Sequence, residues 1–349
     1  MKILFSSFSP EEVQINKFKS LGHEVIRYNW FSNKNEEFRL KTSHFQMYED
    51  FLNFAQKEKV NLIYFCDYLN VPEFLLGELK VRPEFTPKII FLMQMREVNR
   101  SLMRAQTIKE LLDMPQIVKV MTFSMGLSNY PFPDTLIKVS ANFSKIKNLG
   151  ELFSEDPNFS IIKKESRELF SIPKDAFVIL WCGRWIYSKG IDIFVDAAKY
   201  IDKDIFIFAH KNPAESDFDN SLVEKLIKNH PNTKFIIKHF DNMKYVYSAV
   251  DAVICSHRKI CEYSESGIPS MAALVKIPIV APNFNYFKEI IYRYKVGITF
   301  EAENVMALAS TINLVKKNYN SIIKDAQFEK SIEGYINFED IPKLVMESL

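Results

Sequence analysis

Arg184 and Lys189 stand between a strand-like run and a helical one, in the stretch WCGRWIYSKGIDIFVDAAKYI. Arginine offers a planar fork of N–H donors and lysine a compact charge, and the two together suit a diphosphate. Gly183 ends the strand and Gly190 turns the chain. Both cations therefore fall beyond the carboxyl end of a strand, where open parallel sheets bind ligands. Taken alone, the pair is better explained as solvated charges on a loop. A second stretch, DAVICSHRKICEYSESGIPSMAALVKIPIVAP, raises the case for a site. There a strand ends, a polar turn follows, and a helix of small residues begins near Gly267. The amides of Ser266, Gly267 and Ile268 lie where a first turn lacks intrahelical partners, which favours an anion. Gly267 lets the backbone approach that anion closely. A plain serine N-cap before a tightly packed helix is the competing explanation. The convergence of both stretches on strand ends of one sheet tips the balance towards a diphosphate site.

The elements that must carry these residues alternate strand and helix, which predicts parallel sheets with crossover helices, an α/β fold. In the first half KILFSSFS, HEVIRYN, VNLIYFCD, KIIFLMQM, VKVMTFS and LIKVSAN read as strands. A helix opens near Pro10, with Ser9 as its cap and Glu11 and Glu12 in its first turn. The pattern breaks in the turn-rich region ending at residues 161–173, and AFVILWCGR starts a second series with DIFIFAH, TKFIIKHF, DAVICS and IPIVAP. Helices are expected at 191–200, 222–229, 244–250 and after Gly267. The expected organisation is a domain over 1–160, a second over 161–335, and a terminal helix within 336–349 that packs back on the first domain.

Composition excludes several classes. The chain of 349 residues has a net charge of +2, too even for a nucleic-acid surface. Its four cysteines, Cys66, Cys182, Cys255 and Cys261, form no CxxC pair and suggest buried thiols in a reducing, cytoplasmic compartment. The opening MKILFSSFS lacks the features of a signal peptide, and no apolar run approaches the roughly 20 residues of a membrane helix.

The second half resembles the nucleotide-binding domain of GT-B glycosyltransferases, the large retaining family four, or glycosyl transferases group 1. The resemblance rests on GRWIYSKG followed by DAAKYI, on KKESRELFSIPKDAFVIL, on DNMKYVYSAVDAVICSH, and on MAALVKIPIVAPNFNYFKEII with Val296 and Gly297 after it. It covers about Ser166 to Val315; the first half matches in outline only. It implies two facing Rossmann-like domains with parallel sheets and a cleft between them. A nucleotide-diphosphate sugar, UDP- or GDP-linked, would be the co-substrate, with no bound metal and no other cofactor. The implied product is a hexosyl group moved to a glycan or lipid-linked glycan hydroxyl, in surface polysaccharide or glycoconjugate synthesis. Peripheral contact of the first domain with the inner face of a membrane fits the same picture.

Two departures stand out. The family carries one glutamate before the helix and one at its start; counted back from Pro278, those places hold Tyr263 and Met271. Glu262 and Glu265 lie near the first place but out of register, as sugar-contact candidates. A GT-B subgroup uses a Ser-Gly turn instead, and SESGIPSMAAL is similar to that version. In the first domain a histidine commonly ends the strand matching KIIFLMQM, and Gln94 or Arg96 takes that region. Gln94 can donate to a sugar hydroxyl but cannot act as a base. Asp67, ending VNLIYFCD, is the nearest candidate base, although a strand-end carboxylate is the commoner explanation. His239 and Phe240, after TKFIIK, and His257 and Arg258, after DAVICS, complete the donor-site candidates. Asp217 and Asp219 form a DFD spacing that reads as a solvated turn. Two rival functions stay open: a GT-B-fold sugar-nucleotide 2-epimerase and a catalytically silent nucleotide-binding partner.

Overall fold

The computed structural model describes residues 1–6, 12–28, 44–65, 72–92, 102–122, 146–148, 151–153, 163–211, 218, 221–237, 243–262, 266–333, 335–337 and 340–349. Two compact units divide the chain, Met1–Leu152 with Ile336–Leu349, and Phe153–Tyr335.

The first unit holds strands β1 (Lys2–Ser6), β2 (Glu24–Tyr28), β3 (Leu62–Phe65), β4 (Lys88–Leu92), β5 (Ile117–Thr122) and β6 (Ile146–Asn148). They form a six-stranded sheet in the order β2-β1-β3-β4-β5-β6, with every pair parallel. Burial on both faces makes such strands continuous apolar runs, as in LIYF of β3, rather than alternating ones. Phe5, Phe18 and Tyr64 meet edge to face with centroids 5.6–6.3 Å apart. The terminal helix Ile341–Met346 buries Ile341 and Val345 in this same cluster. Each such buried side chain contributes about 1.5–3 kcal/mol. The expected strand LIKVSAN lies outside the described residues. The short β6 was not expected.

The second unit opens with the helix Lys163–Leu169 and continues with β8 (Phe177–Gly183), β9 (Ile205–Lys211), β10 (Thr233–Ile237), β11 (Ala252–Ile254), β12 (Ile279–Pro282) and β13 (Gly297–Phe300). The sheet order is β10-β9-β8-β11-β12-β13, again all parallel. Alternate residues of β8 feed opposite faces: Val178 and Leu180 enter one apolar cluster, Ile179 and Trp181 the other. Strand β13 was missed in the sequence because it is short and half-exposed, without an apolar run. The expected helix over 191–200 is α-helical at Ile191–Ala197 and tightens to a 3-10 turn at Ala198–Tyr200. The remaining short strands, β7 (Glu151–Phe153) and β14 (Tyr335–Asn337), pair with each other.

The division at 152/153 lies before the expected 160/161 boundary, and the helix Lys163–Leu169 is firmly part of the second unit. Asp251 Oδ2 accepts from Arg167 Nη2 at 2.7 Å and from the Val178 amide at 2.6 Å. Lys163 pairs with the other carboxylate oxygen, and Arg167 Nε donates to the Ala249 carbonyl at 2.9 Å. Both Arg167 and Asp251 side chains are about nine-tenths buried. Asp251→Ala strands the buried guanidinium, so the second unit should lose roughly 3–5 kcal/mol in urea unfolding. A loss under about 1 kcal/mol, the worth of an exposed pair, would show that the cluster does not anchor this helix.

Among the described residues no helix is long and apolar enough to cross a membrane. Cys182, Cys255 and Cys261 are buried and unbridged.

Candidate functional site

In the second sheet the order reverses beside β8: the chain runs outward through β9 and β10, then returns to β11 on the other side. The carboxyl ends of β8 and β11 therefore flank the crevice that open α/β sheets form at such a switch.

β8 delivers Gly183 and Arg184 to that crevice. Gly183 has φ +138°, a conformation that side-chain-bearing residues rarely adopt, and no atom lies within 4 Å of the place a Cβ would take. Arg184 follows, exposed, and Trp185 is then fully buried against Trp181 and Phe235. That buried ring makes the excursion short. A 3-10 turn, Tyr187–Lys189, ends on Gly190 in the left-handed region, and the helix from Ile191 begins. The turn places Lys189 over the end of β11, with Nζ 2.8 Å from His257 Nε2.

β11 supplies the opposite support. Ser256 Oγ accepts from Trp181 Nε1 at 2.8 Å and reaches the Gly190 and Lys189 carbonyls at 2.7 and 3.1 Å. Arg258 N donates to the Ser188 carbonyl at 3.0 Å. Ser266 and Gly267 then lead into the helix Ile268–Leu274. Gly267 is its N-cap, with an ordinary right-handed φ of −71°, so a serine cap is not what starts this helix. The value of Gly267 is space: nothing lies within 4 Å of its would-be Cβ. Ser266 Oγ accepts a long 3.4 Å bond from the Ile268 amide. Pro269 has no N–H, so the first turn offers fewer donors than the sequence pattern suggests.

These pieces border one cavity of about 410 Å³, within the second unit. Gly183, Arg184, Lys189, His257, Ser266, Gly267 and Ile268 all line it. Its apolar wall comes from Trp181, Ile254, Met243 and Met271, with Cys182, Tyr247 and His210 beside them. Neither His210 nor Tyr247 is among the residues expected from the sequence. A signal existed for His210, which pairs in register with Cys182 on the strand next to β8 and so also sits at a strand end. Tyr247 lies on the five-residue helix Lys244–Ser248, where nothing in the local pattern points to a cavity.

Two candidates fall elsewhere. Arg258 does not line the cavity: it is bonded to Asp192, Glu303 and the Tyr187 carbonyl, which corrects its assignment to the phosphates. Glu262, at the end of the turn Lys259–Cys261, is also not among the lining residues. Asp67, Gln94, His239, Phe240, Tyr263 and Glu265 lie outside the described residues, as do Asp217 and Asp219.

Burial fixes the protonation of the cavity wall. It pushes the Cys182 thiol up to about 11, so this cysteine is neutral and not a nucleophile at neutral pH. Burial first, and the Lys189 charge second, hold His257 well below its usual value of 6.5. Neutral His257 accepts from Lys189 at Nε2, which leaves its proton on Nδ1. Burial also lowers His230. The unfolded chain then takes up protons below pH 6.5 that the native state refuses. Stability is unaffected by these groups above that pH and falls as pH drops below it. For a histidine held neutral throughout this range, as His257 is, the slope approaches about 1.4 kcal/mol per pH unit. Unfolding midpoints between pH 7 and 5 should decline in the wild type and decline less in His257→Gln. Equal declines in both proteins would show that His257 is protonated in the native state.

Residues 162–332 match the profile of the family described as Glycosyl transferases group 1. Among solved structures, a glycosyltransferase from Rickettsia africae has a TM-score of 0.71 at 15% identity, covering 99% of this chain and 97% of that one. Sucrose-phosphate synthase from Thermosynechococcus elongatus gives 0.73 at 13% identity, covering 99% and 98%. Anabaena HepE in complex with UDP-glucose gives 0.73 at 14% identity, covering 100% of each chain. At these identities the likeness concerns the fold. No curated protein sequence matches the chain.

Proposed function

We propose that this chain, which has the GT-B fold and matches the glycosyl transferases group 1 profile over residues 162–332, moves a hexose from a UDP- or GDP-linked donor to a glycan or lipid-linked glycan hydroxyl. The observation that carries this reading is the cavity at the β8–β11 switch, lined by Arg184, Lys189 and Ser266–Ile268 together.

In this reading the donor diphosphate lies in that cavity. Gly183 and Gly267 leave room for the backbone to approach it. Arg184 and Lys189 stabilise the charge that grows on the diphosphate as the glycosidic bond breaks, the main electrostatic task of the reaction. They take the part that a divalent cation plays in other phosphate sites. Trp181, Met271 and Tyr247 exclude water from one side, which strengthens those interactions. The acceptor belongs to the first unit, with Asp67 as its base if transfer inverts and no such base needed if it retains. The match to the group 1 family favours retention.

The test is release of nucleoside diphosphate from a panel of UDP- and GDP-sugars, with and without glycan acceptors. Acceptor-dependent release is the expected result. Interconversion of the sugar without an acceptor would mark an epimerase, and binding without turnover a silent partner; either would overturn the transferase reading.

A further inference from the structure

Arg258 is partly buried beside the cavity without lining it, and its guanidinium is bonded on all three nitrogens. Nε donates to the Tyr187 carbonyl at 3.1 Å, Nη1 to Glu303 Oε1 at 3.0 Å, and Nη2 to Asp192 Oδ2. The guanidinium also lies over the Tyr187 ring, 4.1 Å from its centroid. Its side chain is only 13% exposed, whereas Asp192 and Glu303 are 31% and 41% exposed. One side chain thus ties the turn Tyr187–Lys189 to the first turn of the helix Ile191–Ala197 and to the loop before the helix Val305–Lys317. Its neighbours grip the same turn: the Arg258 amide and Cys261 Sγ both donate to the Ser188 carbonyl, at 3.0 and 3.3 Å.

We propose that Arg258 is a positioning residue that holds Lys189 at the cavity by clamping the turn Tyr187–Gly190, and is not itself a ligand of the bound molecule. The inference rests on the reading that Lys189 engages a diphosphate. Only arginine fits this role, because a fork reaches a carbonyl and two carboxylates at once and a lysine reaches fewer partners in poorer geometry. With the clamp gone, the turn has only the Ser256, Ser188 and backbone contacts to fix it, and Lys189 samples positions away from the cavity.

The test measures UDP and GDP binding in a double-mutant cycle, on full-length protein well below its unfolding midpoint. Arg258→Met should weaken binding about tenfold in the wild-type background and less than about twofold in Lys189→Met. Arg258→Lys should restore little of the loss. Glu303→Gln, which removes an exposed partner and leaves the core untouched, should weaken binding about twofold to threefold and keeps the test valid if Arg258→Met does not fold. An equal loss in both backgrounds would make Arg258 an independent ligand and overturn the clamp. So would wild-type binding that Arg258→Met or Glu303→Gln leaves unchanged. Failure of the wild type to bind either nucleotide would overturn the diphosphate reading first, and the clamp with it.

Discussion

Lys189→Met should cut acceptor-dependent release of nucleoside diphosphate about 10²–10³-fold, with most of the loss in kcat. The ammonium lies on the cavity wall at the β8–β11 switch, where charge on a leaving diphosphate would develop. A contact that strengthens as the bond breaks lowers the barrier; one that binds ground and transition states alike changes only KM. The fold should survive, because the turn is held by the backbone of Lys189: its amide donates to Ile186 at 3.0 Å and its carbonyl accepts from Ser256 Oγ. Arg184→Ala should act in the same direction and more weakly, since Arg184 is exposed and works in a higher dielectric. Steady-state kinetics against a common acceptor separates the two. Unchanged turnover in both variants would remove the diphosphate from this wall.

Gly190→Ala should strongly destabilise the second unit, through strain and a clash together. Gly190 has φ +66°, a left-handed conformation that costs an L-residue roughly 1–2 kcal/mol. The added Cβ would also sit 2.1 Å from the Ser256 carbonyl oxygen. That oxygen cannot retreat, because Ser256 is bolted through its side chain to Trp181 and to Gly190 itself. Overpacking adds roughly 1–3 kcal/mol, for a total of roughly 2–5 kcal/mol in urea unfolding. Gly22→Ala is the control: φ is +83° but nothing lies within 4 Å, so only the conformational cost applies. If both variants lose the same amount, the contact with Ser256 yields more easily than this packing implies.

The sheets were legible because buried parallel strands are written as apolar runs, and FVILWCG and IVAP carry that signal at full strength. The site was legible where sequence order and spatial order coincide: Gly183, Arg184 and Lys189 follow one strand directly. It was illegible where a side chain turns sideways. Arg258 and His257 are neighbours in the chain, yet His257 faces the cavity and Arg258 faces the turn beside it. Residue type alone favoured the arginine for phosphate, and only its three hydrogen-bond partners assign it elsewhere. His210 stands near the end of β9, between β8 and β10, and was within reach of the same strand-end reasoning that points to Arg184. Tyr247 depends on how a short helix packs, which no spacing in the sequence encodes.

The central claim is that the cavity lined by Arg184, Lys189 and Ser266–Ile268 binds a nucleotide through its diphosphate. Thermal unfolding with UDP, GDP, uridine and guanosine tests it most directly, in the wild type and in Lys189→Met. A diphosphate at about 100 times its Kd should stabilise the wild type by about 2.7 kcal/mol. The nucleosides should do little, and Lys189→Met should lose most of the diphosphate shift. Nucleosides that stabilise as well as diphosphates, or a Lys189→Met shift equal to that of the wild type, would contradict the claim.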